Sequence, residues 1–267
     1  MKLSTYHLHT TYCDGKNTAE EMVQKAIELG CPEIGFSGHA YMDFDGSWCM
    51  TVENTERYKK EITELKKKYK DKIKIYMGIE QDYFSCLDTS DYDYVLGSVH
   101  YVYKNGEYLP VDLSRDATNA FVDKHYGGDM YAYCEDYYKL VADIYNKTKC
   151  DIIGHVDLCT KFNEGGVQFS TSHPRYVKCA SDAVKALLYT PAIFEVNTGA
   201  ISRGYRTESY PENFLLKIIG DSGKKLVINS DTHSTSTIDF GLESEAKRLD
   251  ELGYGYITSL KEIINKL

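Results

Sequence analysis

Tyr6-His7-Leu8-His9-Thr10-Thr11-Tyr12-Cys13-Asp14-Gly15 is the stretch from which the rest of the chain can be read. Residues two apart on a strand share a face, so His7 and His9 present two imidazoles side by side while Leu8 turns away. The Asp14-Gly15 pair marks a turn able to fold a carboxylate back towards them. Two imidazoles and a nearby carboxylate are a start on a metal site. A surface strand with two histidines has the same local pattern, and the positions of the other histidines separate the two readings.

Outward from this stretch, short apolar β-branched runs alternate with longer segments of helical period. Strands are expected over 3–9, 33–37, 73–80, 94–99, 152–154, 193–197 and 226–230. Helices are expected over 18–29, 52–69, 130–147, 175–188, 211–222 and 242–252, with a short final one over 260–267. Thr18 followed by Glu21 reads as a capping box, and Gly30 and Gly253 stand where helices should stop. Repeated strand–helix units imply a parallel sheet. No linker, repeat or low-complexity tract divides the 267 residues, so one domain over 1–267 is expected.

Metal-binding side chains fall at or just past the C-terminal ends of six of the seven expected strands: His7 and His9, His39, Glu80, His100, His155, and the pair Asp231 and His233. In a closed parallel barrel those ends meet at one face. The expected fold is therefore α/β, a barrel of the TIM type with one unit missing. An open doubly wound sheet would instead spread the same ends along a crevice.

Six of the eight histidines belong to this set, and with Glu80, Asp231 and Asp14 they make nine candidate ligands. One ion takes about four or five ligands, so nine suit two or three divalent ions, with Glu80 the expected bridge. Imidazole and carboxylate without thiolate suit zinc, manganese or iron equally. Neighbouring cations activate water and neutralise charge in phosphoryl displacement, which makes phosphoester hydrolysis the leading class and amide or lactone hydrolysis its competitor.

A net charge of -9 argues against a broad nucleic-acid or anionic-membrane footprint and favours a small-molecule substrate. No leader or membrane-length apolar run is recognisable, and the eight cysteines are scattered without a Cys-x-x-Cys pair. A reducing, cytoplasmic location with unpaired thiols is expected, Cys13 in the first loop being the one worth watching. Oligomeric state is not legible.

The motifs His7-x-His9 with Asp14, Gly38-His39, Glu80, Ser98-Val99-His100, Gly154-His155-Val156-Asp157 and Asp231-x-His233 resemble the polymerase and histidinol phosphatase (PHP) superfamily. Gly154 to Leu158, Lys161-Phe162, Glu195-Val196-Asn197-Thr198-Gly199, Arg203, Arg206 and Tyr210-Pro211 resemble its monofunctional histidinol-phosphatase branch. The resemblance implies a distorted (β/α)7 barrel holding up to three metals. One ion would be held by His7, His9, Glu80 and Asp231, a second by Glu80, His100 and His155, a third by Asp14, His39 and His233. It implies a phosphomonoesterase acting on L-histidinol phosphate in histidine biosynthesis, a metal-bridging hydroxide attacking phosphorus and Asp231 or His233 managing the proton. Another phosphoesterase of the superfamily, on nucleotides or phosphodiesters, and a metal-binding protein without turnover are the alternatives.

A phosphate dianion needs cations beyond the metals. Arg203 and Arg206, whose planar forks match phosphate oxygens, and Lys161, a point charge, are the candidates on the loops after the fifth and sixth strands. Asp43, Asp45, Asp112 and Asp116 lie in connections able to face an ammonium group on the substrate. His125 and His173 are read as structural or exposed.

Overall fold

The computed structural model describes residues 3–264. Six parallel strands form one sheet in the order β1-β2-β3-β6-β7-β8: β1 (Glu33–Phe36), β2 (Lys74–Asp82), β3 (Tyr94–Ser98), β6 (Ile152–Ile153), β7 (Ile193–Asn197) and β8 (Leu226–Asn229). Strand numbers 4 and 5 belong to an antiparallel hairpin, β4 (Tyr101–Lys104) with β5 (Glu107–Pro110). The helices are α1 (Ala19–Leu29), α2 (Val52–Lys68), α3 (Arg115–Tyr126), α4 (Met130–Thr148), α5 (Pro174–Leu187), α6 (Gly199–Ser202), α7 (Asn213–Asp221) and α8 (Leu242–Leu252).

The expected first strand is an extended segment without a ladder, yet it joins the sheet's two edges. Thr5 bridges Ile34 of β1, and Leu8 bridges Thr232 just beyond β8. The amide of His9 donates to the Thr232 carbonyl at 2.9 Å and that of Ser37 to the Leu8 carbonyl at 3.0 Å. A regular ladder is interrupted because side chains take the intervening amides: Tyr6 N–H donates to Asn229 Oδ1 (2.7 Å) and Ser230 N–H to Thr5 Oγ1 (3.1 Å). The curled sheet of six strands is thus closed by a seventh, irregular stave.

Period two along the staves divides the barrel interior into two storeys. At the N-terminal end Tyr6, Tyr76, Tyr94, Leu96, Ile152, Ile193 and Val227 form a buried apolar cluster. Two or more residues further along the same faces stand Glu80 and Asp82, Ser98 and His100, Glu195 and Asn197, and Asn229 and Asp231, all buried. The alternate residues, Ile75, Met77 and Ile79 of β2 among them, pack outward with the helices. Apolar floor and polar mouth follow from one sequence pattern on parallel strands.

The capping box at Thr18 and the left-handed glycines at Gly30 and Gly253 are present as expected. The hairpin and α3 fill a connection expected as irregular. The overlooked signal is Asn105-Gly106, whose φ values of 50° and 87° suit a tight hairpin turn. The expected final helix reduces to a single turn over Leu260–Glu262, and its remainder, 265–267, lies outside the described residues. Among the described residues no helix is long and apolar enough to cross a membrane.

Tyr94 spans the apolar storey, its hydroxyl donating to the Tyr6 carbonyl at 2.6 Å, and a Cβ at Gly78 would stand 2.2 Å from its ring. Gly78→Ala is expected to destabilise the fold by about 1–3 kcal/mol through overpacking. Thermal melting checks this, and an unchanged midpoint would show that the ring can move aside.

Candidate metal centre

The mouth of the barrel gathers all nine expected ligands. Glu80, at the inward position of β2, is its centre. Its Oε2 lies 3.1 Å from His7 Nε2, 3.5 Å from His9 Nε2 and 2.9 Å from His39 Nδ1. Its Oε1 lies 3.3 Å from both His100 Nε2 and His155 Nε2. Asp231 Oδ1 closes on His9 Nε2 at 3.5 Å, and Asp14 Oδ2 on His233 Nε2 at 3.1 Å. The first loop thus folds a carboxylate back as expected: His9, Asp14, His39 and His233 form one tight set of donors. Three further sets are His7 with Glu80 and His155, His7 with His9 and Asp231, and His39 with Glu80 and His100. His7, His9, His39 and Glu80 belong to two sets each, so the division among ions implied by the family resemblance is less clean in the donor geometry.

Several of these atoms have no hydrogen-bond partner although they are buried: Nε2 of His7 and of His9, Nδ1 of His39 and Oε2 of Glu80. Buried polar atoms are normally paired, and four orphaned donors and acceptors aimed at one another fit divalent cations between them. The electrostatics agree. Burial alone would raise the Glu80 carboxyl, yet His7, His39 and His100 hold it well below the usual carboxylate range. Burial is likewise outweighed at Asp231 by Arg203 and His7, and at Asp14 by His39 and His233. Burial, with His233 and His39 as like charges, lowers His9 to about 3 and so keeps its imidazole neutral.

Behind the ligands stand residues that hold them, and these were not assigned a role from sequence. Glu195 Oε1 lies 2.7 Å from His7 Nδ1, while its Oε2 accepts the His155 amide at 3.0 Å. Asn197 and Asn229 each donate to Glu195. Asp82 accepts the His100 amide at 2.8 Å and faces its Nδ1 at 3.3 Å, and Ser98 donates to Glu80 Oε1 at 2.6 Å. A carboxylate on the far ring nitrogen fixes the tautomer that leaves the other nitrogen free for a metal. Their signal was in the sequence: Asp82 stands two residues after Glu80, and Asn197 two after Glu195. Asp231 itself sits at φ 45°, a left-handed conformation that turns its carboxylate into the cluster.

A cavity of about 480 Å³ opens over the centre, lined by His39, His100, His155, Asp231, Arg203 and Lys161 among others. Arg203 grips Asp231: Nη2 donates to Oδ2 at 3.0 Å and Nη1 to the carbonyl at 2.9 Å, with His233 Nδ1 3.0 Å away. Lys161 pairs with Asp112 at 3.1 Å. Of the four acidic candidates, Asp45 and Asp112 line the cavity beside Trp48, and Asp43 and Asp116 do not. Arg206 is not among the lining residues; its guanidinium donates to Thr160 Oγ1 beneath them. His173 caps α5, His125 pairs with Glu107, and Cys13 Sγ packs 3.6 Å from His9 Nδ1, its thiol pushed up to about 12 by burial and Asp14.

If Glu195 orients His7, Glu195→Gln should cut metal affinity by roughly 10–100-fold, measured by chelator competition. Stripping the ions should lower the melting temperature, since the buried carboxylates and imidazoles lose their counter-charges. A melting curve indifferent to proven metal removal would refute a buried cluster.

Comparison with known proteins agrees with the geometry. A "Probable histidinol-phosphatase" of Deinococcus radiodurans is 27% identical over 270 residues, covering 94% of each chain. A Listeria monocytogenes structure ascribed to the histidinol phosphatases superposes with a TM-score of 0.79 at 23% identity, over 90% of this chain and 99% of that one. The histidinol phosphate phosphatase of Lactococcus lactis, crystallised with zinc, L-histidinol and phosphate, superposes at 0.66 and 18% identity over 96% of this chain and 95% of its own. Both neighbours share the barrel. The PHP domain profile matches residues 5–199, most of the barrel and all but two of the nine ligands, and the chain belongs to the PHP domain family.

Proposed function

We propose that the chain is a metal-dependent phosphomonoesterase whose substrate is L-histidinol phosphate, with two or three zinc, manganese or iron ions held by His7, His9, Asp14, His39, Glu80, His100, His155, Asp231 and His233. The observation that carries this reading is the presence, in one cavity, of a cluster of metal donors and two cations of phosphate-binding type, Arg203 and Lys161. The likeness to the Lactococcus lactis enzyme, seen with histidinol and phosphate, supports the substrate.

Bound divalent cations would activate water and offset charge on the phosphoryl group. The chain's own residues supply the rest. Arg203, whose fork is held by Asp231 in this structure, brings a guanidinium charge to the cavity for the phosphate oxygens, and Lys161 adds a point charge from the loop after β6. Of the two residues expected to manage the proton, His233 is the more open to the cavity, a fifth exposed at its side chain where Asp231 is buried. Asp45 and Asp112 face the remainder of the substrate with the Trp48 ring between the histidines and solvent; they suit its ammonium and imidazole groups.

Phosphate release from L-histidinol phosphate, measured beside nucleotides and simple phosphomonoesters in metal-loaded protein, tests the reading. A marked preference for histidinol phosphate is expected. Equal slow release from every ester would remove the specific substrate, and no release from any would leave only a metal-binding protein. Arg203→Ala should raise KM roughly tenfold or more while retaining the metals, because removing a cation beside Asp231 favours metal there. Loss of metal in that variant would contradict the assigned role.

A further inference from the structure

Arg206 is a half-buried cation that the proposed chemistry leaves unused. Its surroundings belong to two loops at once. One loop, after β6, runs from Asp157 through Thr160 and Lys161 to Glu164; the other, after β7, runs from Arg203 through Arg206 to Glu212. Across the gap between them Arg206 Nη1 donates to Thr160 Oγ1, and Thr160 Oγ1 in turn donates to the Asp157 carbonyl at 2.7 Å. The Glu212 amide donates to Asp157 Oδ2 at 2.8 Å. Thr207 donates to Glu164 through its hydroxyl, at 2.6 Å, and its amide, at 3.3 Å. Phe162 and Tyr205 meet edge to face, their centroids 5.3 Å apart.

The middle of this clamp is buried and polar. Asp157 is fully buried and Thr160 and Tyr210 are 1% exposed. The Arg206 guanidinium lies 5.0 Å from the centre of the Tyr210 ring. Asp157 Oδ1 and Arg206 Nε, an acceptor and a donor, are both buried without hydrogen-bond partners. A buried carboxyl beside a half-buried guanidinium, each with an unsatisfied polar atom, is costly unless its geometry serves something, since an apolar pair could fill the same space. Each loop carries one of the two cations of the cavity: Lys161 directly follows Thr160, and Arg203 stands three residues before Arg206.

We propose that Arg206, Asp157 and Thr160 are positioning residues that set the spacing of Lys161 and Arg203, so that Arg206 acts on the phosphate only through those two side chains. The inference rests on the reading of Lys161 and Arg203 as the phosphate-binding cations. It makes Arg206 a residue whose loss weakens phosphate binding from outside the cavity. Misplacing a binding group by about 1 Å is enough for a large loss.

Titration of metal-loaded protein with inorganic phosphate, followed by calorimetry, tests it with Thr160→Val, Asp157→Asn, Arg206→Ala, Lys161→Ala and Arg203→Ala. Thr160→Val removes only the hydroxyl that Arg206 grips and keeps the volume. It is expected to weaken phosphate binding about three- to tenfold with metal content unchanged, and to raise KM for the phosphomonoester more than it lowers kcat. Its effect should shrink when Arg206 is already alanine, since the two side chains meet at that hydroxyl. Unchanged phosphate affinity in Thr160→Val and Asp157→Asn beside a large loss in Arg206→Ala would overturn the inference and make Arg206 a direct ligand. A lowered melting temperature with unchanged affinity in all three would overturn it in favour of a merely structural cluster. Failure of the underlying reading looks different: phosphate would bind, and Lys161→Ala and Arg203→Ala would leave its affinity intact.

Discussion

Glu80 is the group around which this molecule is arranged. An ionised carboxylate taken out of water costs several kcal/mol unless it is surrounded by compensating partners. Here its two oxygens divide five imidazoles between them, three around Oε2 and two around Oε1. That division suits a carboxylate shared by two cations. Without cations the same geometry leaves several ring nitrogens facing one another unpaired, an arrangement that water or further side chains would be expected to relieve in an ordinary polar core.

The barrel supplies the convergence. Parallel strands deliver their C-terminal ends to one mouth, and period two lets a strand place an apolar residue in the floor and a polar one above it. Tyr76 and Glu80, Tyr94 and Ser98, and Ile193 and Glu195 are such pairs. A rigid floor matters because ligand positions must hold to a fraction of an ångström. The tyrosine-filled lower storey, with Tyr94 hydrogen-bonded to two backbone carbonyls, provides it. Glu195, held by Asn197 and Asn229, extends that rigidity to His7.

Above the metals the loops become a second construction, made of contacts between the segments that follow β6 and β7. Their guanidinium, hydroxyl and ring contacts join the segment of Lys161 to that of Arg203, so the cations of the cavity sit on loops packed against each other, apart from the strand ends that carry most of the candidate metal ligands.

Much of this was legible in the chain before its fold was known. Alternating apolar and helical segments, read with the positions of the histidines, specified a parallel barrel, because ligands at the ends of successive strands have a common purpose only if those ends meet. The nine candidate ligands that the fold gathers at its mouth were visible for the same reason. The hairpin after β3 was missed although Asn105-Gly106 announced it, and the first stave was expected as a regular strand because nothing local shows Asn229 capturing the Tyr6 amide and Thr5 that of Ser230. Glu195 and Asp82 carried a period-two signal but no motif of their own. What tertiary structure alone decided is the distribution of charge among neighbours: that Arg203 faces the cavity while Arg206, three residues on, faces Asp157, and that of four acidic candidates only Asp45 and Asp112 reach the site. Sequence spacing determines which side of a strand a residue takes, since the backbone repeats; loops have no such repeat, and the direction of a loop side chain is settled only by what the rest of the fold packs against it.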